Sequence, residues 1–475
     1  MALESKRYFV QQAWIDGAWA ADVVLSVDEL GMLCSIQKNA PLDLRHDAIA
    51  LSGAVLPGLV NAHSHAFQRA IAGLTECRAT EAIAGADDDF WSWRSRMYSA
   101  ANRVTPAQLE VIATFLYAEL LVGGYTHVCE FHYLHNDLDG KPYADPLEMS
   151  MALVRAAQAT GIGLTLLPTL YMRAGFGAAG LREDQRRFAS CPARVLQIAD
   201  GIAQQLPNSQ RINAGIALHS LRAVGGPAIE EITQQANRQN LAVHLHIAEQ
   251  MQEVDDCLAH HRQRPIERLL THADVKSNWN LVHATHTTAK ERAGIQQTGA
   301  SVVICPSTEA NLGDGFFDYR GYAGLGGTWS VGSDSHVTRS WPEELRLLEY
   351  SQRLIHRKRN VAASVSTQPS SAAALFESAL AGGRAATGLA LGGIVIGNRA
   401  DFLVLDRDAS ALVGVPLAQQ LDALVFSSPT AAFHQVFVAG EQVVRNGRSV
   451  GADPAIDLWS ELANKFRTVM GELWR

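Results

Sequence analysis

No two cysteines in this sequence stand three positions apart, and the six present (Cys34, Cys77, Cys129, Cys191, Cys257 and Cys305) are scattered along 475 residues. That spacing excludes a Cys-x-x-Cys redox or zinc motif and points to reduced, mostly buried thiols in the cytoplasm. No apolar window reaches eighteen residues, and the opening "MALESKRYFVQQAWIDGAW" lacks a basic flank followed by an apolar stretch. Neither a membrane span nor an export signal is therefore expected. Blocks of Lys or Arg are absent as well, and 48 acidic against 40 basic residues leave a formal net charge of -8. Such a balance offers no general attraction to nucleic acid or anionic lipid. Repeats of fixed period and low-complexity tracts are also missing.

What is present is apolar content, 47% of the chain, enough for a large core and for two or three domains unless one of them is a barrel. Up to about residue 56 short apolar runs are broken by turn pairs such as Asp16-Gly17, the texture of a small antiparallel sheet. The same texture returns in Leu391 to Asp408 and in Gln435 to Val450, where Asn446-Gly447 is a hairpin signal. Between them eight strand-like runs recur: "VLPGLVNAHSH", "YTHVCEFHYL", "IGLTLLPTLY", "INAGIALHSL", "LAVHLHIAE", "WNLVHAT", "SVVICPS" and "TWSVGSD". Most are separated by stretches of helical period, such as Thr105 to Leu121, which opens with an N-cap Thr105, Pro106 and a capping-box partner Gln108. Eight apolar strands alternating with helices predict an α/β fold, a (β/α)8 barrel over 57–390. Residues 1–56 and 391–475 are predicted to form one discontinuous β-sandwich, with a C-terminal helix from about Pro454 to Trp474.

An active site in such a barrel lies at the C-terminal ends of the strands, and ligand-type residues gather there. Run one ends in His63 and His65, run two in Glu130, His132 and Tyr133, and run four in His219 and Arg222. Run five ends in His246 and Glu249, run six in His283 and run eight in Asp334. With 17 His in the chain, chance supplies roughly 0.6 His-x-His pairs, so the placement and not the motif carries the argument. Residues two apart on a strand face the same way, so His63 and His65 can grip one ion, with His246 and Asp334 completing the set. Three imidazoles and a carboxylate suit Zn2+, although Fe2+ and Mn2+ accept the same ligand types. Strand alternation leaves His244 oriented like His246; Glu249, three residues on, favours His246. His127, His132, His135, His244 and His286 are read as bystanders.

Taken together, "PGLVNAHSH", "HIAE", "LVHATH", "GSDS" and "GNRADFLVLD" resemble, in order and over nearly the whole chain, the successive motifs of the amidohydrolase superfamily. The resemblance implies metal-dependent hydrolysis in a (β/α)8 barrel flanked by a β-sandwich. Members with two metals bridge them through a carboxylated lysine of strand four, and this chain has no lysine between Lys141 and Lys276, which implies one metal. The His-x-x-Glu form of His246 and Glu249 is that of the deaminating branch. Within it, "HSHAFQRAIAG", "EFHYLH", "LHSLRAV" and "PSTEANLGDG" are similar to the formimino-glutamate deiminases, which hydrolyse N-formimino-L-glutamate to N-formyl-L-glutamate and ammonia in histidine breakdown.

By that resemblance His63, His65, His246 and Asp334 bind the metal, and Glu249, His283 and Asp334 serve catalysis. Gln68, Tyr133, His219 and Arg222 line the pocket for a small acidic amidine. The alternative is an aminohydrolase of a cyclic amidine such as guanine or an adenosine derivative; a dead barrel kept as a subunit would be expected to have lost ligands. Leu74 to Ser99, acidic in its middle and aromatic at its end, is predicted to be a lid, or else a surface helix pair with Phe90, Trp91 and Trp93 packed beneath it. Thr308, Glu309 and Asn311 receive no role, because their cluster can satisfy the turn's own backbone. Apolar helices outside a barrel point to a homodimer.

Overall fold

The computed structural model describes residues 6–77, 88–450 and 458–474. Strands β1 (Lys6–Ile15) and β2 (Ala18–Val27) form a hairpin across Asp16-Gly17, whose φ values of 55° and 75° are those of a two-residue turn with both central φ positive. β3 (Leu33–Gln37), β4 (Ile49–Ala50) and β5 (Val55–Pro57) extend the sheet. The chain then crosses into the barrel at Gly58, where a Cβ would meet the Thr126 side chain at 2.3 Å, so only glycine lets the two strands approach.

The barrel strands are β6 (Leu59–Ser64), β7 (Tyr125–His132), β8 (Gly163–Leu170), β9 (Ile212–Ala214), β10 (Ile216–Ser220), β11 (Val243–Ile247), β12 (Trp279–His283), β13 (Ser301–Ile304) and β14 (Trp329–Val331). Neighbours pair in parallel in the order β6-β7-β8-β10-β11-β12-β13-β14, with β9 paired to β8. The fourth predicted run is thus split at Gly215, whose Cβ would stand 2.6 Å from the Ala242 carbonyl; the close approach of β11 breaks the strand there. β14 returns to β6 through a single parallel bridge, Ser64 to Asp334, reinforced by Asp334 N donating to His63 O (3.0 Å) and His65 N to Asp334 O (3.3 Å). Closing the barrel is therefore the same event that sets Asp334 beside His63 and His65.

Between the first two barrel strands lies the helix Pro106–Val122, with the expected capping box: Gln108 N donates to Thr105 Oγ1 (3.3 Å) and Thr105 N to Gln108 Oε1 (3.0 Å). The helix Ser371–Thr387 ends against the N-terminal mouth of the barrel. Its last carbonyls accept hydrogen bonds from strand residues there: Ala386 O from His244 Nε2 (2.8 Å), Ala385 O from Asn280, and Thr387 O from Asn213. This explains His244, a buried imidazole satisfied at the end of the barrel away from the site.

β15 (Phe402–Leu405), β16 (Phe433–Val438), β17 (Glu441–Arg445) and β18 (Arg448–Ser449) join β5, giving the order β18-β17-β16-β15-β5-β1-β2-β3. The predicted Asn446-Gly447 turn links the last two strands with φ values of 52° and 70°. The β-sandwich takes the form of one nine-stranded mixed sheet from both ends of the chain, curled round its own core of Tyr8, Val10, Val23, Leu25, Phe402 and Phe437. Across this core Tyr8 Oη of β1 donates to Gly440 O in the turn between β16 and β17 (2.7 Å). The C-terminal helix Leu458–Leu473 lays Phe466 on Phe115 of the helix Pro106–Val122, ring centroids 4.5 Å apart, a pair worth about 1 kcal/mol beyond its buried area. Among the described residues no helix is long and apolar enough to cross a membrane, and all six cysteines are free.

Candidate metal and active site

Period-two alternation turns His63 and His65 of the β6 end inward, and β11 supplies His246 from the opposite wall. His63 Nε2 lies 3.0 Å and His65 Nε2 3.3 Å from His246 Nε2, and Asp334 Oδ1 stands 3.5 Å from both His63 Nε2 and His65 Nε2. A tetrahedral ion with nitrogen and oxygen ligands at 2.0–2.1 Å needs those atoms about 3.3 Å apart. Tautomers supply a second test. His65 Nδ1 donates to Phe131 O (2.9 Å) and His246 Nδ1 to His219 O (2.9 Å), so each neutral ring aims a lone pair from Nε2 at the other. Two lone pairs converging in a buried space call for a cation between them. Burial, followed by the neighbouring imidazoles, holds His63 and His246 well below the usual histidine pKa, which keeps them in the ligand form.

The backbone bends sharply where it delivers these groups. Ala248, His283, Ala284, Asp334 and His336 all take positive φ, between 45° and 68°, at the C-terminal ends of β11, β12 and β14. Non-glycine residues accept this at about 1–3 kcal/mol each only when the surroundings enforce it. His283 stands beside the ligand group, Nε2 3.6 Å from Glu249 Oε1 and 3.7 Å from Asp334 Oδ2. Burial alone would depress the pKa of His283, but Glu249, Glu309 and Asp334 around it raise it to about 10. Glu249 is pushed up to about 7 by burial and by Asp334, against the opposing pull of His283 and Arg222.

Above this group a pocket opens, and Gln68, Tyr133, His219 and Arg222 stand in its wall. Gln68 donates from Nε2 to Tyr133 Oη (3.3 Å), while its Oε1 is buried with no partner among the described residues, an acceptor held ready for a donor. His219 lies ring to ring with Tyr171, centroids 4.2 Å apart. Arg222 is buried, its Nε 3.7 Å from Glu253 Oε2, and its Nε makes no hydrogen bond among the described residues. The bystanders stay out: His127 bonds Thr165 Oγ1 and Arg399 toward the β-sheet domain, and His135 bonds Thr169 O.

Three features of the pocket were not expected. The lid expectation for 74–99 falls at 78–87 outside the described residues. Of the remainder, the helix Phe90–Ala101 presents Phe90, Trp93, Arg94, Met97 and Tyr98 to the pocket, with the Arg94 guanidinium over the rings of Trp91 (4.3 Å) and Tyr98 (5.5 Å). Positions 90, 93, 94, 97 and 98 are one helical face, a pattern the sequence already displays. Glu130 clamps the turn carrying His65, accepting from Ser64 Oγ (2.7 Å), Ala66 N (2.5 Å) and Tyr117 Oη (3.2 Å).

The third is Glu309, set aside as a turn residue. It does accept from Cys305 N (2.9 Å), but the same Oε1 lies 3.3 Å from His283 Nδ1 and so fixes that ring's orientation and charge. Glu309→Gln is expected to lower kcat by roughly 10–100-fold, the effect of losing an outer partner of a site histidine, with KM little changed. Steady-state kinetics on the metal-loaded variant checks this; an equal fall in substrate affinity would show that Glu309 shapes the pocket instead.

Eight parallel strands closing on convergent imidazole and carboxylate donors, with a buried Glu and His beside them, define a metal-dependent hydrolase barrel. The chain belongs to the amidohydrolase family, whose model matches residues 54–443. It is 44% identical, over 98% of its length and 99% of the relative's, to a formimidoylglutamate deiminase of Pseudomonas aeruginosa. A crystal structure of an amidohydrolase from Brucella melitensis superposes with a TM-score of 0.90 at 40% identity, covering 99% of this chain and 100% of that one. An adenosine deaminase from Xanthomonas campestris with bound zinc shares the fold at a TM-score of 0.78 and 20% identity, covering 98% of both chains.

Proposed function

We propose that the chain hydrolyses N-formimino-L-glutamate to N-formyl-L-glutamate and ammonia, a step of histidine breakdown, with zinc held by His63, His65, His246 and Asp334. The observation that carries this reading is the buried guanidinium of Arg222 facing the same pocket as Glu249 and His283. In a protein of net charge -8 such a cation is what retains an acidic substrate. The relative in Pseudomonas aeruginosa, named for this reaction, supports it.

Zinc at these ligands would lower the pKa of a water toward about 7 and so supply the nucleophile at neutral pH. Glu249 takes the proton from the attacking water and passes it to the departing nitrogen. His283, held charged by its carboxylates, polarises the imino nitrogen and meets the charge that forms there. Gln68 Oε1, the unpartnered acceptor, takes a hydrogen bond from the amidine N–H. Glutamate brings two carboxylates, and the pocket wall brings two guanidinium groups, Arg222 and Arg94.

Arg94 is half-buried and Arg222 buried, so the two should not count equally. Arg94→Met is expected to raise KM on the order of 10-fold, the size of one partly solvated charge-assisted hydrogen bond, and less than Arg222→Met does. Comparing the two KM values checks the order. An aminohydrolase of a flat ring would use the aromatic wall of Phe90, Trp93 and Tyr98 instead. Ammonia release measured against formimino-glutamate, its amidine relatives and guanine, on protein whose metal content has been determined, decides between them. Faster turnover of guanine would overturn the proposal.

A further inference from the structure

Asp314, from the "LGDG" stretch, is a buried carboxylate that neither the metal group nor the proton path uses. Its backbone N donates to Glu309 O (2.9 Å), pinning the turn, and Gln250 Nε2 donates to its Oδ1. Its Oδ2 has no partner among the described residues although Asp314 is only 4% exposed. Other buried carboxylates in this barrel face an arginine or several donors: Glu349 bonds Arg353, Glu291 bonds Arg264, Glu130 takes three donors, and Glu253, without a side-chain hydrogen bond, lies 3.7 Å from the Arg222 guanidinium. Asp314 has one amide donor. Burial, with Glu249 adding to it and His283 opposing it, raises its proton affinity well above that of an ordinary carboxylate.

One donor atom each from Asp314, Glu249 and His283 lies within 4.8 Å of the other two, and all three residues are buried. Glu249 and Asp314 stand outside the first metal group, and His283 stands between the two, a donor atom of its ring also lying within 4.8 Å of donors of His63 and His246. We infer that Glu249, His283 and Asp314 form a second, weaker divalent-cation site whose occupation shuts the enzyme off. One imidazole nitrogen and two carboxylate oxygens suit Zn2+ and similar borderline cations better than Mg2+, and the ion binds as His283 Nε2 gives up its proton to solvent, Nδ1 keeping the proton that faces Glu309. The inference rests on the reading of Glu249 and His283 as the proton-handling pair: a cation on them removes the base and the polarising group together. The chain would thus be active with one metal and inhibited with two, and surplus zinc would act as a reversible inhibitor.

The test is metal counting beside activity. Protein carrying one zinc per chain is dialysed against rising free Zn2+, and bound metal is measured by mass spectrometry. A second equivalent should bind as ammonia release from formimino-glutamate falls, and a chelator of modest affinity should reverse both. In Asp314→Asn the second equivalent and the inhibition should shift together to at least tenfold higher Zn2+, while the first zinc stays. Glu249→Gln, inactive by design, should also lose the second equivalent and keep the first, which preserves the test if Asp314→Asn does not fold. A count that stays at one in the unaltered protein, or a second equivalent that both variants retain, as zinc on the surface pair His260 and His261 would be, overturns the inference. If formimino-glutamate is not turned over but the count still rises to two and falls in the variants, the substrate reading fails and the cation site stands.

Discussion

Glu249→Gln is expected to lower kcat by roughly 10³-fold, within the range for loss of a positioned proton carrier, while one metal per chain remains bound. The amide is the size of the carboxyl group and fills the same buried space, but it cannot accept the proton that Glu249 takes from water. Burial and Asp334 push the Glu249 pKa up to about 7, so near neutrality it is basic enough to take a proton and acidic enough to give it back. His246, three residues earlier, would hold the metal through Nε2, an atom the substitution does not touch, which is why metal content and activity should separate. Metal analysis and kinetics on one preparation check this. A variant within tenfold of the parent would remove Glu249 from the reaction, and a variant that had lost its metal would move it into the ligand group.

Much of the site was legible because strand geometry is simple. A period of two puts His63 and His65 on one face, and barrel topology places every strand end on one rim, so His246, His283 and Asp334 could be gathered from segments far apart. His244 shows the limit of that logic. Alternation orients it like His246; Glu249 three residues on favours His246, and the carbonyl of Ala386 at the opposite mouth accounts for His244. Glu309 escaped for a related reason: it lies on the short helix Pro306–Leu312, and its approach to His283 depends on how that helix packs on β12. Arg94 lies in a segment, 74–99, whose acidic middle and aromatic end fit a lid or a surface helix pair equally. Its 3–4 spacing with Phe90, Met97 and Tyr98 makes a helical face with a cation in an aromatic setting, and only packing shows that this face meets the pocket. The single bridge between Ser64 and Asp334 is a product of closure, and no local pattern in either segment announces it.

Arg222→Met is expected to raise KM for formimino-glutamate by about 10²–10³-fold with a smaller change in kcat, and the size follows from burial. Removing one member of a buried charge pair costs about 3–5 kcal/mol, because the remaining charge is stranded away from water. Here two carboxylates would be stranded: that of the substrate, and Glu253, which is fully buried 3.7 Å from the guanidinium. The second loss is paid by the folded enzyme without substrate, so Arg222→Met should also lower the melting temperature, and a fall in activity alone would not separate the two effects. Pairing it with Glu253→Gln does. The double variant should recover most of the stability, since the buried negative charge is gone, yet keep the high KM, since nothing faces the substrate carboxylate. Recovery of both would assign Arg222 to holding Glu253 and leave the substrate anchor to Arg94; recovery of stability alone places the anchor at Arg222.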